Sequence, residues 1–381
     1  MMNRILFTHT HLVVDGNREY LDGALLVNGE TIEDVFINSN NIKKELGDYK
    51  EINLNGKIIM PGFFDTHTHG ACSVEFNSAN KEDIEKVSLE YAKHGTTSFF
   101  TTLTNNENLV EEIKLLNDAE TSYSRFLGIH LEGPFVNENK RGVLKEKNLL
   151  SPDKNVLNSI LDSSSLIKQM TIAPELVGSK TIADELNKRD IKVMLGHSLA
   201  IEEDTTDIDY DGFTHLFNAM TGFNHRELGL VNVAFNNTDK YCELIGDGKH
   251  IDKSVLKVAM KCLRKDRIML ISDSILMAGM PDGEFVFEGE ACVKKGNCSI
   301  RKNDGRLAGN AGFISDEIKV IYSLGISLTD ILLMTSLNAY RFYGLDQRYG
   351  SLVKGKYADI VILDDELNID KVYIRGKLLN A

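Results

Sequence analysis

His67 and His69 stand two apart in Pro61-Gly-Phe-Phe-Asp-Thr-His-Thr-His-Gly70, so on a strand their rings project to one face and can converge on one cation. Spacing alone is weak evidence, because His9 and His11 repeat it with no ligand-type cluster nearby; that pair reads as partly exposed strand histidines. Glu132 closes the apolar run Gly128-Ile-His-Leu-Glu-Gly-Pro-Phe135, where an anion needs a cation. With His197 and His215 it offers one carboxylate oxygen and two imidazole nitrogens, a set suited to zinc or iron(II) that leaves coordination positions open for water. His130, two before Glu132, reads as a packing or supporting residue. Asp273 ends Arg267-Ile-Met-Leu-Ile-Ser-Asp273; beside a hydrolytic water one carboxylate can take a proton and later return it to a departing nitrogen.

These side chains need a frame that brings them together. From Lys57 to Asp273, β-rich runs alternate with helix-like segments, the pattern of βα units. The eight runs are Ile58 to His69, Ser98 to Leu103, Arg125 to Glu132, Met170 to Glu175, Ile191 to His197, Gly212 to Asn218, Tyr241 to Asp247 and Arg267 to Asp273. Between the first two, Asn80 caps a predicted helix with Ile84, Val87, Tyr91 and Ala92 on one face and Gly95 at its end. The expectation is an α/β fold, a (β/α)8 barrel over residues 58–349 completed by helices in Phe313 to Tyr340; an open doubly wound sheet is the alternative. Five of the ten histidines, His67, His69, His197, His215 and His250, then fall at or just past the C-terminal ends of strands, where barrel enzymes place their chemistry. Residues 1–57 and 350–381 have turn-punctuated antiparallel patterning and are expected to form one small β-sandwich domain from both termini.

Composition narrows the function classes. A net charge of −13 disfavours nucleic acid and anionic membrane as partners, and an anionic substrate would need a local positive cluster against that field. No apolar run approaches the roughly 20 residues of a membrane span, and the N-terminus lacks a secretory pattern, so a cytoplasmic protein is expected. Five cysteines without a Cys-x-x-Cys pair indicate neither a disulfide scaffold nor a thiolate metal site.

Several pieces together resemble the N-acetylglucosamine-6-phosphate deacetylase family of the amidohydrolase superfamily. They are the paired-histidine segment, His130-Leu-Glu-Gly-Pro-Phe135, Leu195-Gly-His-Ser198, Thr214-His-Leu-Phe-Asn-Ala-Met220, Asp247-Gly-Lys-His250, Ile271-Ser-Asp-Ser274, Leu307-Ala-Gly309 and the tail Gly355 to Leu363. The resemblance implies that Glu132, His197 and His215 bind a principal divalent metal, that Asp273 is the acid/base, and that His250 polarises the acetyl carbonyl. A second metal on His67 and His69 is possible, giving one or two per subunit. The same resemblance places substrate contacts at Leu307, at backbone donors of Asn218 and Ala219, and at Arg226, with His225 adjoining, in a homodimer where Arg226 can enter the neighbouring subunit's site. This chain departs from the family at Thr221-Gly-Phe-Asn-His-Arg-Glu-Leu-Gly229, which lacks the usual prolines and so loosens the loop carrying Arg226. The expected reaction is deacetylation of N-acetylglucosamine 6-phosphate to glucosamine 6-phosphate and acetate. Alternatives are the galacto isomer as substrate, or a non-catalytic sugar-phosphate-binding barrel. Cyclic amidases such as dihydroorotases are disfavoured, since their bridging lysine is expected near the end of strand four, where this chain has Ala173-Pro-Glu175.

Overall fold

In the computed structural model, which describes residues 4–42 and 46–380, eight strands follow one another around a barrel. They are β1 (Phe63–Asp65), β2 (Thr96–Thr104), β3 (Arg125–Glu132), β4 (Ile167–Ile172), β5 (Lys192–Leu195), β6 (Gly212–Phe213), β7 (Tyr241–Leu244) and β8 (Ile268–Leu270). Each pairs in parallel with its sequence neighbour. Beyond the strand ends, Asp273 N–H donates to His67 O at 3.0 Å and His69 N–H to Ser274 O at 2.7 Å, which joins the last strand to the first. The fold is therefore the (β/α)8, or TIM, barrel, and the open sheet is excluded. Every residue of β2 is buried, as a strand covered on both faces requires.

Lys81–Lys93 shows how one connecting helix is specified. Asn80 accepts from Asp83 N–H at 2.9 Å while Asp83 accepts from Asn80 N–H at 3.1 Å, a reciprocal cap. Ile84, Val87, Tyr91 and Ala92 recur at helical spacing and are buried against the barrel, each large apolar side chain contributing about 1.5–3 kcal/mol. Gly95 follows at φ +80°, where a Cβ would also strike the Phe63 ring. Helix Ile314–Ser323 follows β8, and the Leu328–Phe342 helical segment docks on the barrel through Ser336 Oγ to Gly62 O and Asn338 Nδ2 to Ile268 O, both 2.7 Å.

Both termini build one eight-stranded sheet with Phe7, Leu12, Leu25, Ile59, Ile360 and Tyr373 in its core. Its long strand Arg4–Asp15 is bulged, so Ile5 to Thr8 pair with Lys50–Asn53 while His11 and Leu12 pair with Ile58 and Ile59. Residues 1–3, 43–45 and 381 of these terminal segments lie outside the described residues. The run Ile58 to His69, read from sequence as one barrel strand, is divided. Ile58–Pro61 joins the terminal sheet and only Phe63–Asp65 enters the barrel. Gly62 is the pivot: its N–H bonds Asp359 O at 3.0 Å, and a Cβ there would sit 2.2 Å from the Thr97 hydroxyl oxygen. His9 and His11 bond Asp22 and Glu19, both at 2.9 Å, and are partly exposed strand histidines as expected.

One element was not foreseen. Gly283–Phe287, Glu290–Lys295, Cys298–Arg301 and Leu307–Asn310 form a four-stranded antiparallel sheet inserted after β8. Lys294 pins its base, with Nζ donating to Met277 O at 2.9 Å and Ala311 O at 3.2 Å.

Candidate active site

At the C-terminal mouth of the barrel, two side-chain groups lie next to each other: Glu132 with His197 and His215, and His67 with His69 and Asp273. Within each group the candidate ligand atoms are all within 4.8 Å of one another. Glu132 Oε1 is 2.9 Å from His197 Nε2 and 3.1 Å from His215 Nε2, and the two nitrogens are 3.0 Å apart. Ligands of a tetrahedral zinc ion with bonds of about 2.0–2.1 Å are about 3.3 Å apart, close to this triangle. Glu132 Oε2 is 3.3 Å from His69 Nε2, so one carboxylate faces both groups.

Three observations test whether these residues fit a cation. His197 Nδ1–H donates to Lys140 O at 2.8 Å, which leaves a lone pair on Nε2 in the neutral ring. His67 Nδ1–H donates to Glu243 Oε2 at 3.1 Å, while its buried Nε2 has no hydrogen-bond partner and lies 3.6 Å from Asp273 Oδ1. Among the described residues, Glu132, Glu243 and Asp273 form ion pairs with histidines alone and with no lysine or arginine. Three carboxylates withdrawn from water without a fixed cation are costly, and a divalent ion supplies the missing charge. The residues fit.

The metal-free electrostatics point the same way. Burial opposes a charged His67, yet Glu132 and Glu243 hold it well above its ordinary value; His69, also buried, is lifted to about 9 by Asp273 and Glu132. Burial raises Glu132 and Asp273, but their histidine neighbours outweigh it, bringing Glu132 well below the usual carboxylate range and Asp273 below it. His130 is pushed far down by burial and by the facing His67, and its nitrogens meet Thr102 Oγ1 at 3.2 Å and Thr171 Oγ1 at 2.8 Å. It supports the floor of the site.

The strand ends carry backbone strain. His197 (φ 48°), His215 (φ 27°) and Asp273 (φ 48°) all have positive φ, which turns each out of its strand line toward the mouth. A cavity of about 460 Å³ opens over them, lined also by His250, Asn218, Ala219 and Leu307. His250 Nδ1–H donates to Asp247 Oδ2 at 2.8 Å. Burial lowers the His250 pKa, but Asp247 and Asp273 outweigh it and raise the value, favouring a donor imidazolium.

Arg226 is not brought to this cavity within its own chain. Its loop is exposed, and its N–H donates to Asn224 Oδ1 at 3.0 Å. The Asn218 N–H is already engaged by His215 O at 3.0 Å, whereas Ala219 (φ 49°) faces the cavity. Sequence reasoning missed Glu243, Thr104, Phe287 and Glu288. Glu243 carried a signal, a carboxylate inside the apolar strand Tyr241-Cys-Glu-Leu244. Glu288 sits in the hairpin turn Glu288-Gly289 of the inserted sheet, pairs with Lys145 at 2.8 Å and accepts from Thr104 Oγ1 at 3.2 Å.

Fold and site define a barrel enzyme of the class that gathers histidines and carboxylates for divalent cations at the C-terminal mouth. The chain belongs to the amidohydrolase family, which it matches over residues 58–379. It is 30% identical over 334 residues to an N-acetylglucosamine-6-phosphate deacetylase of Bacillus subtilis (strain 168), covering 84% of each chain. It is 29% identical over 338 residues to an N-acetylgalactosamine-6-phosphate deacetylase of Escherichia coli O157:H7, covering 85% of this chain and 88% of that one. The crystal structure of N-acetylglucosamine-6-phosphate deacetylase from Pasteurella multocida superimposes with a TM-score of 0.90 at 24% identity, over 98% of this chain and 99% of that one, and shares the fold.

Proposed function

We propose that this chain hydrolyses the acetamide of N-acetyl-D-glucosamine 6-phosphate, giving D-glucosamine 6-phosphate and acetate. The observation that carries the reading is the meeting, in one cavity, of the Asp273 carboxylate, the His250 imidazole and the Glu132, His197, His215 cluster. Glu132, His197 and His215 would hold the principal divalent cation, zinc or iron(II), and His67 with His69 a second. Bound there, a divalent cation supplies Lewis acidity toward the carbonyl and makes water a better nucleophile. Asp273 accepts the proton of the attacking water as the new C–O bond forms. His250 donates to the carbonyl oxygen as negative charge develops on it. Asp273 then delivers its proton to the nitrogen as the C–N bond breaks, which releases the amine and acetate.

The sugar phosphate extends from these groups toward Leu307 and the Asn218–Ala219 turn. Arg226, exposed on its own chain, would be supplied by the partner subunit of a homodimer, where a guanidinium forks onto phosphate oxygens. Among the described residues no helix is long and apolar enough to cross a membrane; a cytoplasmic location is part of the proposal. A second reading, the galacto isomer as substrate, is favoured by the 29% identical Escherichia coli relative. Acetate release from both 6-phosphates, measured side by side with and without chelator, tests the proposal. Chelator-sensitive release faster with the gluco isomer supports it, a reversed preference replaces it with the galacto reading, and release from neither overturns both.

A further inference from the structure

Glu243 is fully buried in β7, and its carboxylate is shared between the two ligand groups. Oε2 accepts from His67 Nδ1–H at 3.1 Å and faces the His215 backbone N–H at 3.4 Å, while Oε1 accepts from Gln169 Nε2 at 2.8 Å. Gln169, also fully buried, accepts in turn from the Tyr343 hydroxyl. Tyr343 packs against Phe100 with ring centroids 4.7 Å apart, beside a second cavity lined by Lys168, Asp190 and Lys192 at the N-terminal ends of the strands. A hydrogen-bonded line, Tyr343 to Gln169 to Glu243 to His67, thus runs through the barrel interior from its base to its catalytic mouth.

The chemistry at the end of this line is directional. An ionised carboxylate only accepts, so the hydrogen of a neutral His67 ring is fixed on Nδ1 and the lone pair on Nε2. That Nε2 is the buried atom with no hydrogen-bond partner, directed at Glu132 Oε1 (3.5 Å) and Asp273 Oδ1 (3.6 Å). We propose that Glu243 is the positioning residue that makes the His67, His69, Asp273 group a second cation site. It does so by fixing the tautomer and orientation of His67, and Gln169 with Tyr343 holds Glu243 in place. Partners of this kind on ligating histidines change metal affinity about 10–100-fold. The inference rests on the metal-dependent reading above, but it concerns cation occupancy rather than the reaction.

The test is zinc binding to the metal-free full-length chain, by calorimetry and by metal analysis after dialysis, for wild type, Glu243→Gln and Glu243→Leu. Wild type is expected to bind two zinc ions. Glu243→Leu should keep the Glu132, His197, His215 ion and lose affinity for the second at least tenfold. Glu243→Gln, which can still accept from Nδ1–H, should lie between. A Leu variant holding two ions as tightly as wild type, or a wild type holding one, overturns the proposal. Should Glu243→Leu fail to fold, nitrogen NMR of ¹⁵N-histidine-labelled, zinc-loaded wild type decides: His67 must show a protonated Nδ1 and a zinc-bound Nε2, and the reverse pattern overturns it. Two ions with the expected tautomer but no acetate release would refute the deacetylase reading and leave this one standing.

Discussion

Asp273→Asn tests proton transfer while leaving the principal ligand group intact, although Asp273 also belongs to the His67, His69 group. Asparagine has nearly the same shape and keeps an oxygen where Asp273 Oδ1 stands, 3.4 Å from His69 Nε2 and 3.6 Å from His67 Nε2, but it cannot take a proton from water. The three principal ligands, Glu132, His197 and His215, gain or lose nothing directly. General acid/base groups contribute typically 10²–10⁴-fold, so kcat should fall by about 10³, or about 4 kcal/mol of barrier. The ion at the principal site should remain. Asp273 also helps hold the metal-free His69 pKa at about 9, so removing its charge should move that value downward, which NMR of the metal-free variant reads independently of turnover. Continuous acetate assay, metal analysis and the His69 titration together check the argument. Turnover above about a tenth of wild type with metal retained would refute the assignment of proton transfer to this carboxylate.

Further expectations follow from buried charges. A metal ion must displace the proton that His69 carries below about 9 in the metal-free protein, so second-site affinity should rise with pH by at least about tenfold per unit through neutrality; pH-independent calorimetric binding would contradict this. Glu317 is fully buried with neither carboxyl oxygen hydrogen-bonded, and burial pushes its pKa well above its ordinary value of 4.5. The folded state therefore retains a proton that the unfolded chain loses, and stability contributed below 4.5 is lost as pH rises toward the folded value, by about 1.4 kcal/mol per pH unit. Glu317→Gln should remove that loss, so its melting temperature relative to wild type climbs with pH; a constant difference refutes the account. Arg125→Met removes the only side-chain cation paired with Asp359 among the described residues, leaving it the Arg375 backbone N–H, and should cost about 3–5 kcal/mol in urea denaturation.

Much of the site was legible because strand periodicity is a local property. His67 and His69 had to share a face, and the placement of Glu132, His197, His215 and Asp273 after apolar runs put them at strand ends once a barrel was assumed. The Asn80 cap and the Ile84, Val87, Tyr91 face were equally local, set by a side chain reaching three residues along and by helical spacing. The four-stranded insert was legible in principle, since Glu288-Gly289 and Gly296-Asn297 are hairpin turns between alternating strands, but its strands do not follow the βα pattern of the barrel.

Residue type and order by themselves therefore specified which side chains are candidate ligands, seven of the eight barrel strands and the terminal β-structure. Tertiary structure decided what depends on distance between remote segments. It bent the chain at Gly62 and left Arg226 outside the cavity of its own chain, while bringing Glu243 to His67 across 176 positions. The physical reason is that periodicity fixes which way a side chain points, whereas hydrogen-bond partners and cation geometry are set by the closure of the barrel, which brings segments far apart in the chain within 3 Å of one another.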